Sequence, residues 1–256
     1  MKSLTQVLEH KKEQGKLFIP YIMAGANGLE RLEEEIEMLA DSGASAIELG
    51  VPFSDPVADG PVIQQAGIQS RRNGTTLKRI ITFLQNISSP VPLILMGYTN
   101  SFFHYGIEKL LEDLSSTDVK GMIIADLPYE HRDMFLQPAQ DKDIALIQLV
   151  SLTSSAERID QLVSDAEGFI YAVTINGTTG LNREYQDKLY NHLQKITEKS
   201  PIPVLAGFGV STAEHVNTFN QYCDGVIIGS CIVQRLDQEG TLGTEALISE
   251  LFAKPK

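Results

Sequence analysis

The stretch Ile47–Gly60, IELGVPFSDPVADG, joins a short apolar run to a loop interrupted by proline and glycine. The run from Ser45 to Gly50 is typical of a buried strand, yet Glu48 lies inside it. A carboxylate in a core strand is costly unless it is paired, protonated or used in chemistry. Eleven residues later, Asp59 lies in a loop that can fold back over the end of the strand. The sequence therefore predicts a general acid/base pair, with one carboxylate on a rigid strand and one on a mobile loop.

Short apolar runs like this one recur along the whole chain, and segments with helical spacing lie between them. Continuous apolar runs are typical of parallel strands that are buried on both faces. The predicted strands are Leu17–Met23, Ala46–Gly50, Pro92–Gly97, Gly121–Ala125, Ile144–Val150, Phe169–Thr174, Pro203–Ala206 and Gly225–Gly229. The predicted helices between them are Leu29–Ser42, Gly106–Leu114, Ala156–Val163, Tyr185–Thr197 and Ala213–Phe219. Three further helical segments are an extra N-terminal helix over Leu4–Lys12, a lengthened second crossover over Thr75–Asn86, and a last helix over Thr241–Phe252.

Eight strand–helix units in 256 residues predict an α/β fold, a single (β/α)8 TIM barrel with the N-terminal helix capping its bottom. A doubly wound open sheet is the alternative fold. That fold usually has fewer strands and a G-x-G-x-x-G motif after the first one. The first strand here ends in Met23–Gly28, MAGANG, which lacks that spacing. No low-complexity linker interrupts the chain, so we expect one domain over residues 1–256.

The bulk composition excludes several classes of protein. The formal net charge of −12, with no offsetting cluster of Lys and Arg, argues against a general binder of nucleic-acid backbones. Only Cys223 and Cys231 are present and the histidines are scattered, so neither a disulfide framework nor a metal site is expected. With so few cysteines, a reducing cytoplasm is the expected location. No targeting segment is expected, and no apolar run approaches the roughly 20 residues of a membrane span.

The active site of such a barrel is expected at the carboxyl ends of the strands. Tyr98 follows the third predicted strand and Asp126 the fourth, while glycine-rich loops follow the last three: Gly177–Gly180, Gly207–Gly209 and Gly229-Ser230. Glycines let the backbone approach a ligand, and the helix N-termini that follow can present N–H groups to an anion. The three loops therefore predict a phosphate site that needs no lysine.

Each of these residues can also have an ordinary structural role. Glu48 could be a structural carboxylate paired with a backbone donor, and Asp55 and Asp59 could be turn residues beside Pro and Gly. The glycines could serve tight turns, and Asp126 could cap the helix that follows it. Tyr171 and Phe208 could be ordinary core or rim aromatics, and His104 and His131 have no recognisable partner.

Taken together, the motifs resemble those of the tryptophan synthase alpha subunit family. Ile47–Gly60 is similar to the long acidic signature of that family, with both acidic positions filled. The resemblance continues in the same order through Phe18–Tyr21, Leu95–Asn100, Ala125–Pro128, Gly177–Gly180, Gly207–Ser211 and Gly229-Ser230. It therefore covers nearly the whole chain.

The resemblance implies a retro-aldol cleavage of indole-3-glycerol phosphate to indole and glyceraldehyde 3-phosphate. It implies that Glu48 is the principal acid/base, and that Asp59 holds the indole N–H. Thr179 would engage Asp59 when a lid closes. By the same resemblance the phosphate would be bound by Gly180, Gly209, Gly229 and Ser230. The indole pocket and its support would be formed by Tyr21, Leu95, Phe208 and Ile227, with Tyr98 nearby and Tyr171 buttressing Glu48.

The family also implies a partner. Its members work in an α-β-β-α complex that passes indole to a beta subunit carrying pyridoxal phosphate, while the alpha chain holds no cofactor. The expected contact surface includes Pro52, Asp55 and Pro56, together with Tyr98–Phe103. The chain departs from the family pattern in two places. Gly25–Gly28 stands where the family often has Gly-Asp-Pro, and the lid reads Gly177–Gly180, GTTG, where the family commonly has Gly-Val-Thr-Gly.

Three other functions stay open at this point. The first is a stand-alone lyase that releases free indole. The second is a regulatory subunit that acts mainly on a beta partner, although the intact Glu48/Asp59 pair argues against it. The third is another phosphate-binding barrel, such as a sugar-phosphate isomerase, which is disfavoured because no Lys or His is convincingly placed at a strand end.

Overall fold

The computed structural model of the chain describes residues 1–151, 154–173, 183–207 and 209–253, with the backbone alone for 183–188. Eight parallel strands in this part of the chain pair in sequence order, and the first also pairs with the last, which closes a barrel. The strands are β1 (Leu17–Met23), β2 (Ile47–Gly50), β3 (Leu93–Gly97), β4 (Val119–Ile124), β5 (Ala145–Ser151), β6 (Glu167–Val173), β7 (Val204–Gly207) and β8 (Gly225–Ile228). The predicted TIM barrel is confirmed.

The helices of the described residues surround this barrel. They are α1 (Ser3–Gln14), α2 (Leu32–Asp41), α3 (Pro61–Arg72), α4 (Leu77–Leu84), α5 (Thr99–Tyr105), α6 (Ile107–Leu114), α7 (Asp133–Ala139), α8 (Ala156–Ser164), α9 (Arg183–Lys199), α10 (Ala213–Phe219) and α11 (Ser230–Leu251). Short 3-10 turns precede α2 at Leu29–Arg31 and α7 at Tyr129–His131. All the helical segments predicted from the sequence are present.

Three helices were not predicted, and each has a weak sequence signal. Helix α3 buries only Ile63, Gly67 and Ser70, so its apolar stripe is too narrow to give a clear period. Helices α5 and α7 have seven residues each, and Pro138 lies inside α7. The last predicted helix, Thr241–Phe252, is the second half of α11, which bends at Gly240 where φ is +68°.

The core has two layers, because alternate residues of each strand face the barrel interior and the surrounding helices. Ile19, Ile94 and Phe169 belong to the inner layer, while Ile22, Leu49 and Leu95 belong to the layer under the helices. Helix α1 closes the amino-terminal end of the barrel with Leu4 and Leu8, which are fully buried in the inner layer. This confirms the capping helix that the sequence predicts.

Helix α1 fits its end of the barrel closely. The Thr5 hydroxyl accepts a hydrogen bond of 2.8 Å from the backbone N–H of Gly168 at the start of β6. A Cβ atom added at Gly121 in β4 would lie 2.7 Å from Cδ2 of Leu4, so a glycine is needed beneath that side chain. Among the described helices, none combines the length and the apolar character needed to cross a membrane.

Candidate active site

Glu48 lies on β2 and faces the barrel interior. Its register partners are Tyr21 on β1 and Ile94 on β3, both of which belong to the inner layer. The residue is 1% exposed, and neither carboxylate oxygen has a hydrogen-bond partner within the described chain. Burial, followed by the nearby carboxylate of Asp59, raises its pKa to about 8. The described residues therefore do not support a structural carboxylate paired with a backbone donor.

Asp59 lies at the end of the loop that follows β2 and lines the same cavity as Glu48. Burial raises the pKa of Asp59 to about 6, and the nearby Tyr98 hydroxyl opposes this rise. At pH 7 the two pKa values leave Glu48 mainly protonated and Asp59 mainly ionised. The site thus holds one proton donor and one negative charge.

The cavity between these carboxylates has a volume of about 340 Å³ and lies at the carboxyl end of the barrel. Its apolar wall consists of Tyr21, Ile63, Met96, Tyr171 and Ile227. A volume of this size, with a mainly apolar wall and a few polar groups, is typical of a site for a small organic ligand.

Two glycines make room for the tyrosine rings of this wall. A Cβ atom at Gly50 would lie 2.0 Å from the Tyr21 hydroxyl, and one at Gly207 would lie 2.3 Å from Cε1 of Tyr171. The ring of Tyr171 therefore takes the space beside Gly207, so this glycine accommodates a side chain rather than a ligand. Burial, then the charges of Glu48 and Asp59, raises the pKa of the Tyr171 hydroxyl well above its ordinary value.

The opposite end of the cavity is polar and is built from the loops after β7 and β8. It is lined by Gly209, Val210, Ser211, His215, Gly229 and Ser230. Gly209 has a φ of +79°, which side chains other than glycine rarely adopt. Ser230 is the first residue of α11, so the free N–H groups of that helix start at this corner.

His215 was not assigned a role from the sequence, yet it lines this corner of the cavity. Its Nδ1 accepts a hydrogen bond of 3.4 Å from the backbone N–H of Ser211. It is the one lining side chain that can carry a positive charge, within the part of the chain that the structure describes. Its position on α10, one turn after the glycine loop, gives no motif that the sequence could reveal.

Three predicted site residues, Thr179, Gly180 and Phe208, lie outside the described residues. The prediction for Leu95 is corrected, because Leu95 faces the helix layer and its neighbour Met96 lines the cavity. Tyr98 does not line the cavity, but its hydroxyl accepts a hydrogen bond from the backbone N–H of Ala58, next to Asp59. Tyr21, Tyr171, Gly209, Ile227, Gly229 and Ser230 are brought together around it.

Asp126 does not cap the helix that follows it. Its Oδ1 accepts hydrogen bonds from the backbone N–H of Thr99 at 2.7 Å and from the Thr99 hydroxyl at 2.9 Å. It therefore caps α5, which follows the neighbouring strand β3. Asn27, where the chain departs from the family pattern, donates a hydrogen bond of 2.9 Å to Oε1 of Glu35 on α2.

The predicted partner surface lies beside the cavity. Asp55 is exposed, and Pro52 and Pro56 are half-buried in the loop after β2. Val57 in the same loop is 84% exposed and Phe103 on α5 is 62% exposed, so both segments present apolar side chains to solvent. No group of three or more His, Cys, Asp and Glu side chains in the described residues is arranged to hold a metal ion.

The profile of the family described as tryptophan synthase alpha chain matches residues 7–254. The chain belongs to this family. Tryptophan synthase alpha chains from Streptococcus sanguinis and Listeria monocytogenes are 52% and 49% identical to it. The first alignment covers 100% of this chain and 99% of that protein, and the second covers 96% and 97%.

Solved structures agree with the family assignment. Tryptophan synthase subunit alpha from Legionella pneumophila has a TM-score of 0.88 at 29% identity, covering 98% of this chain and 97% of that one. A tryptophan synthase structure from M. tuberculosis, described as an aminoacrylate-bound form, has a TM-score of 0.86 at 28% identity, with 98% of each chain covered. The family is therefore established along nearly the full length of the chain.

Proposed function

We propose that the chain catalyses the alpha reaction of tryptophan synthase, the retro-aldol cleavage of indole-3-glycerol phosphate to indole and glyceraldehyde 3-phosphate. The observation that carries this proposal is the pair formed by a buried Glu48 without a partner and a half-buried Asp59 in one cavity of the described structure. The family membership makes this reaction the first one to test.

Glu48 is the group that moves protons. In its protonated form it donates a proton to C3 of the indole ring, which gives an indolenine with a positively charged nitrogen. The resulting carboxylate then takes the proton of the glycerol hydroxyl next to the ring. The carbon–carbon bond breaks as that oxygen becomes the aldehyde, and the bonding electrons return to the ring. Glu48 recovers its proton, so no other reactant is needed.

Asp59 stays ionised near pH 7 and accepts a hydrogen bond from the indole N–H. Its negative charge stabilises the positive charge that forms on the ring when C3 is protonated. Burial raises both pKa values, but that of Glu48 rises to about 8 and that of Asp59 only to about 6, and this difference supports the division of roles.

The remaining lining residues suit the two ends of the substrate. Tyr21, Met96 and Ile227 offer an apolar wall for the indole ring. Gly209, Gly229 and Ser230 lie where the N-terminus of α11 can hold the phosphate. The roles of Gly180 in phosphate binding, of Phe208 in the indole pocket and of Thr179 in the lid stay predictions.

We further propose that the chain works in an α-β-β-α complex with a pyridoxal-phosphate-dependent beta subunit. The exposed Val57 and Phe103 support a contact through the loop after β2 and through the segment Tyr98–Phe103. The proposed chemistry requires only protons, so we expect no cofactor in this chain. A single domain over residues 1–256 and a cytoplasmic location stay predictions.

The decisive experiment is indole release from indole-3-glycerol phosphate by the purified chain, with and without a tryptophan synthase beta subunit. Weak release that rises sharply with the partner is the expected result. Strong release by the chain alone would point to a stand-alone lyase. No release in either condition would overturn the proposed chemistry and leave a regulatory subunit or another phosphate-binding barrel.

The variant Glu35→Gln provides a matched control for changes at Glu48. Glu35 is also buried, at 3% exposure, and burial raises its pKa to about 7. It accepts a hydrogen bond from Asn27 and does not line the cavity. Full activity of this variant would show that the effect of Glu48→Gln depends on its place in the cavity.

A further inference from the structure

Tyr98 contacts the loop after β2 near both of its ends. Its ring stacks on that of Phe53, with the ring centroids 5.0 Å apart and the planes inclined by 21°. Its hydroxyl accepts a hydrogen bond of 3.0 Å from the backbone N–H of Ala58 and interacts with the neighbouring carboxylate of Asp59, whose pKa it lowers. The Tyr98 side chain, which is 3% exposed, thus contacts both the start of the loop and the end that carries Asp59.

Tyr98 is itself held on rigid elements. It follows β3 directly, and the next residue, Thr99, is bound to Asp126 after β4 by two hydrogen bonds. The backbone N–H of Ala125 also donates to the carbonyl of Gly97, at 3.0 Å. The phenol is therefore anchored to two neighbouring strands of the barrel.

The loop has few other attachments near Asp59 in the described structure. The backbone N–H of Asp59 donates to the carbonyl of Pro56 at 3.1 Å, and its own carbonyl accepts from the Gln64 side chain at 2.9 Å. Both bonds run to residues of the same loop or of the helix that follows it. Among the described residues, the side-chain hydrogen bond from another strand end to this part of the loop is the one that the Tyr98 hydroxyl accepts from Ala58, next to Asp59.

We propose that Tyr98 is a positioning residue for the reaction: its hydroxyl aims the Asp59 carboxylate into the cavity and holds it there. The inference rests on the proposed function, since it gives Tyr98 a role in placing the group that receives the indole N–H. It also explains why Tyr98 lies close to the site without lining it. Positioning of this kind matters because small displacements of a charged group sharply reduce transition-state stabilisation.

The titratable groups that interact with Asp59 define the expected pH dependence. Within the described chain they are Tyr98 after β3, Glu48 on β2, Tyr21 on β1 and Tyr171 on β6. Asp126 is the other charged group that faces Tyr98. Because the Tyr98 hydroxyl stabilises the ionised form of Asp59, its removal should raise the pKa of that carboxyl.

The test is Tyr98→Phe, which keeps the ring and its stacking on Phe53 but removes the hydroxyl. We expect kcat for indole release to fall about tenfold at pH 7 with little change in KM, since the substrate-lining residues stay in place. The acid limb of the kcat/KM profile should move up by about one pH unit, because Asp59 then takes up its proton at higher pH.

Tyr105→Phe is the matched control. The Tyr105 hydroxyl, at the end of α5, donates a hydrogen bond of 2.6 Å to the carboxylate of Asp113, so it forms a tyrosine–aspartate pair away from the cavity. Its loss should leave both kcat and the acid limb unchanged. An equal effect of the two variants would mean that Tyr98 acts only through general stability.

Two measurements distinguish positioning from a general loss of packing around Tyr98. In the double variant with Asp59→Asn, Tyr98→Phe should cause little additional loss of kcat, because its charged acceptor is gone. A carbon-13 NMR titration of the Asp59 carboxyl should show the raised pKa in Tyr98→Phe whether or not the chain cleaves the substrate. An unmoved Asp59 titration, or a full additional loss in the double variant, would overturn the inference. An inactive wild type would instead overturn the proposed function.

Discussion

The two ends of the barrel are built from the same strands, but one end is filled by side chains and the other holds a cavity. At the amino-terminal end, Leu4 and Leu8 fill the interior and Thr5 satisfies the backbone N–H of Gly168. At the carboxyl end, a cavity of about 340 Å³ stays open beneath the loops, and the buried Glu48 has no partner among the described residues. The amino-terminal end is thus filled and its buried N–H is bonded, whereas the carboxyl end keeps a buried carboxyl group that is unfavourable for stability but that the proposed chemistry requires.

Glu48→Gln should give the largest change of all. Gln cannot donate and recover a proton, so indole release should fall about 10³-fold or more, in line with the usual contribution of a general acid/base. Steady-state assays with the beta subunit present would measure this. Circular dichroism should show an unchanged fold, and retention of more than a few per cent of turnover would rule out the assigned role.

Leu4→Ala changes the amino-terminal end of the barrel, and we expect it to lower the stability of the protein without changing its activity. Removing a fully buried Leu from the sealed end should lower the free energy of unfolding by about 3 kcal/mol, because it leaves a cavity in the inner layer. Denaturant unfolding would measure the loss, while kcat of the folded enzyme should not change. Leu242→Ala, at a position that is 80% exposed, is the control and should cost almost nothing. A large fall in kcat for Leu4→Ala would show that the two ends are not independent.

Glu48→Gln should also gain stability relative to the wild type as pH rises. The Glu48 carboxyl has an ordinary pKa of 4.5 in the unfolded chain and about 8 in the folded one, so folding takes up a proton between these values. Its contribution to stability is fully present below pH 4.5 and is lost as pH rises through 8. Since Gln does not titrate, the stability difference between the variant and the wild type should grow by on the order of 2 kcal/mol between pH 5 and pH 7. The free energy of unfolding of both proteins would be measured at pH 5 and pH 7. The same difference between variant and wild type at both pH values would contradict a raised pKa of Glu48.

Ser230→Ala should give the smallest effect. Loss of one hydroxyl at the N-terminus of α11 should raise KM for the phosphorylated substrate up to about tenfold and leave kcat nearly unchanged. Ser249→Ala, in the last turns of the same helix, is the control, because the Ser249 hydroxyl bonds only the carbonyl of Glu245 in the described structure. An effect confined to kcat would contradict a role in phosphate binding.

The strands could be predicted from the sequence more fully than the helices. Each predicted strand lies within two residues of its observed bounds, because burial on both faces leaves a continuous apolar run. Helices α3, α5 and α7 were missed because each buries no more than three residues and so shows no clear apolar period. The prediction of the fold was correct even so, since it depends on the number and order of the strands.

The same continuous run explains the error at Leu95. When both faces of a strand are apolar, the sequence carries no alternation that distinguishes Leu95 from Met96. The register decides it: Ile94 pairs with the inward-facing Glu48, so Met96 also faces inward and Leu95 faces outward. Tyr98 was likewise close to its predicted place, but its hydrogen bond with Ala58 and its effect on Asp59 depend on how two loops meet.

The sequence by itself determined the barrel, its capping helix and the candidate pair Glu48 and Asp59, because apolar runs and a carboxylate inside one of them are local features. Only the tertiary structure decided that both carboxylates share one cavity, that Glu48 has no described partner, and that Met96 and His215 line the site. These facts depend on strand register and on the approach of distant loops. Contacts between residues far apart in the chain leave no periodic trace in the sequence.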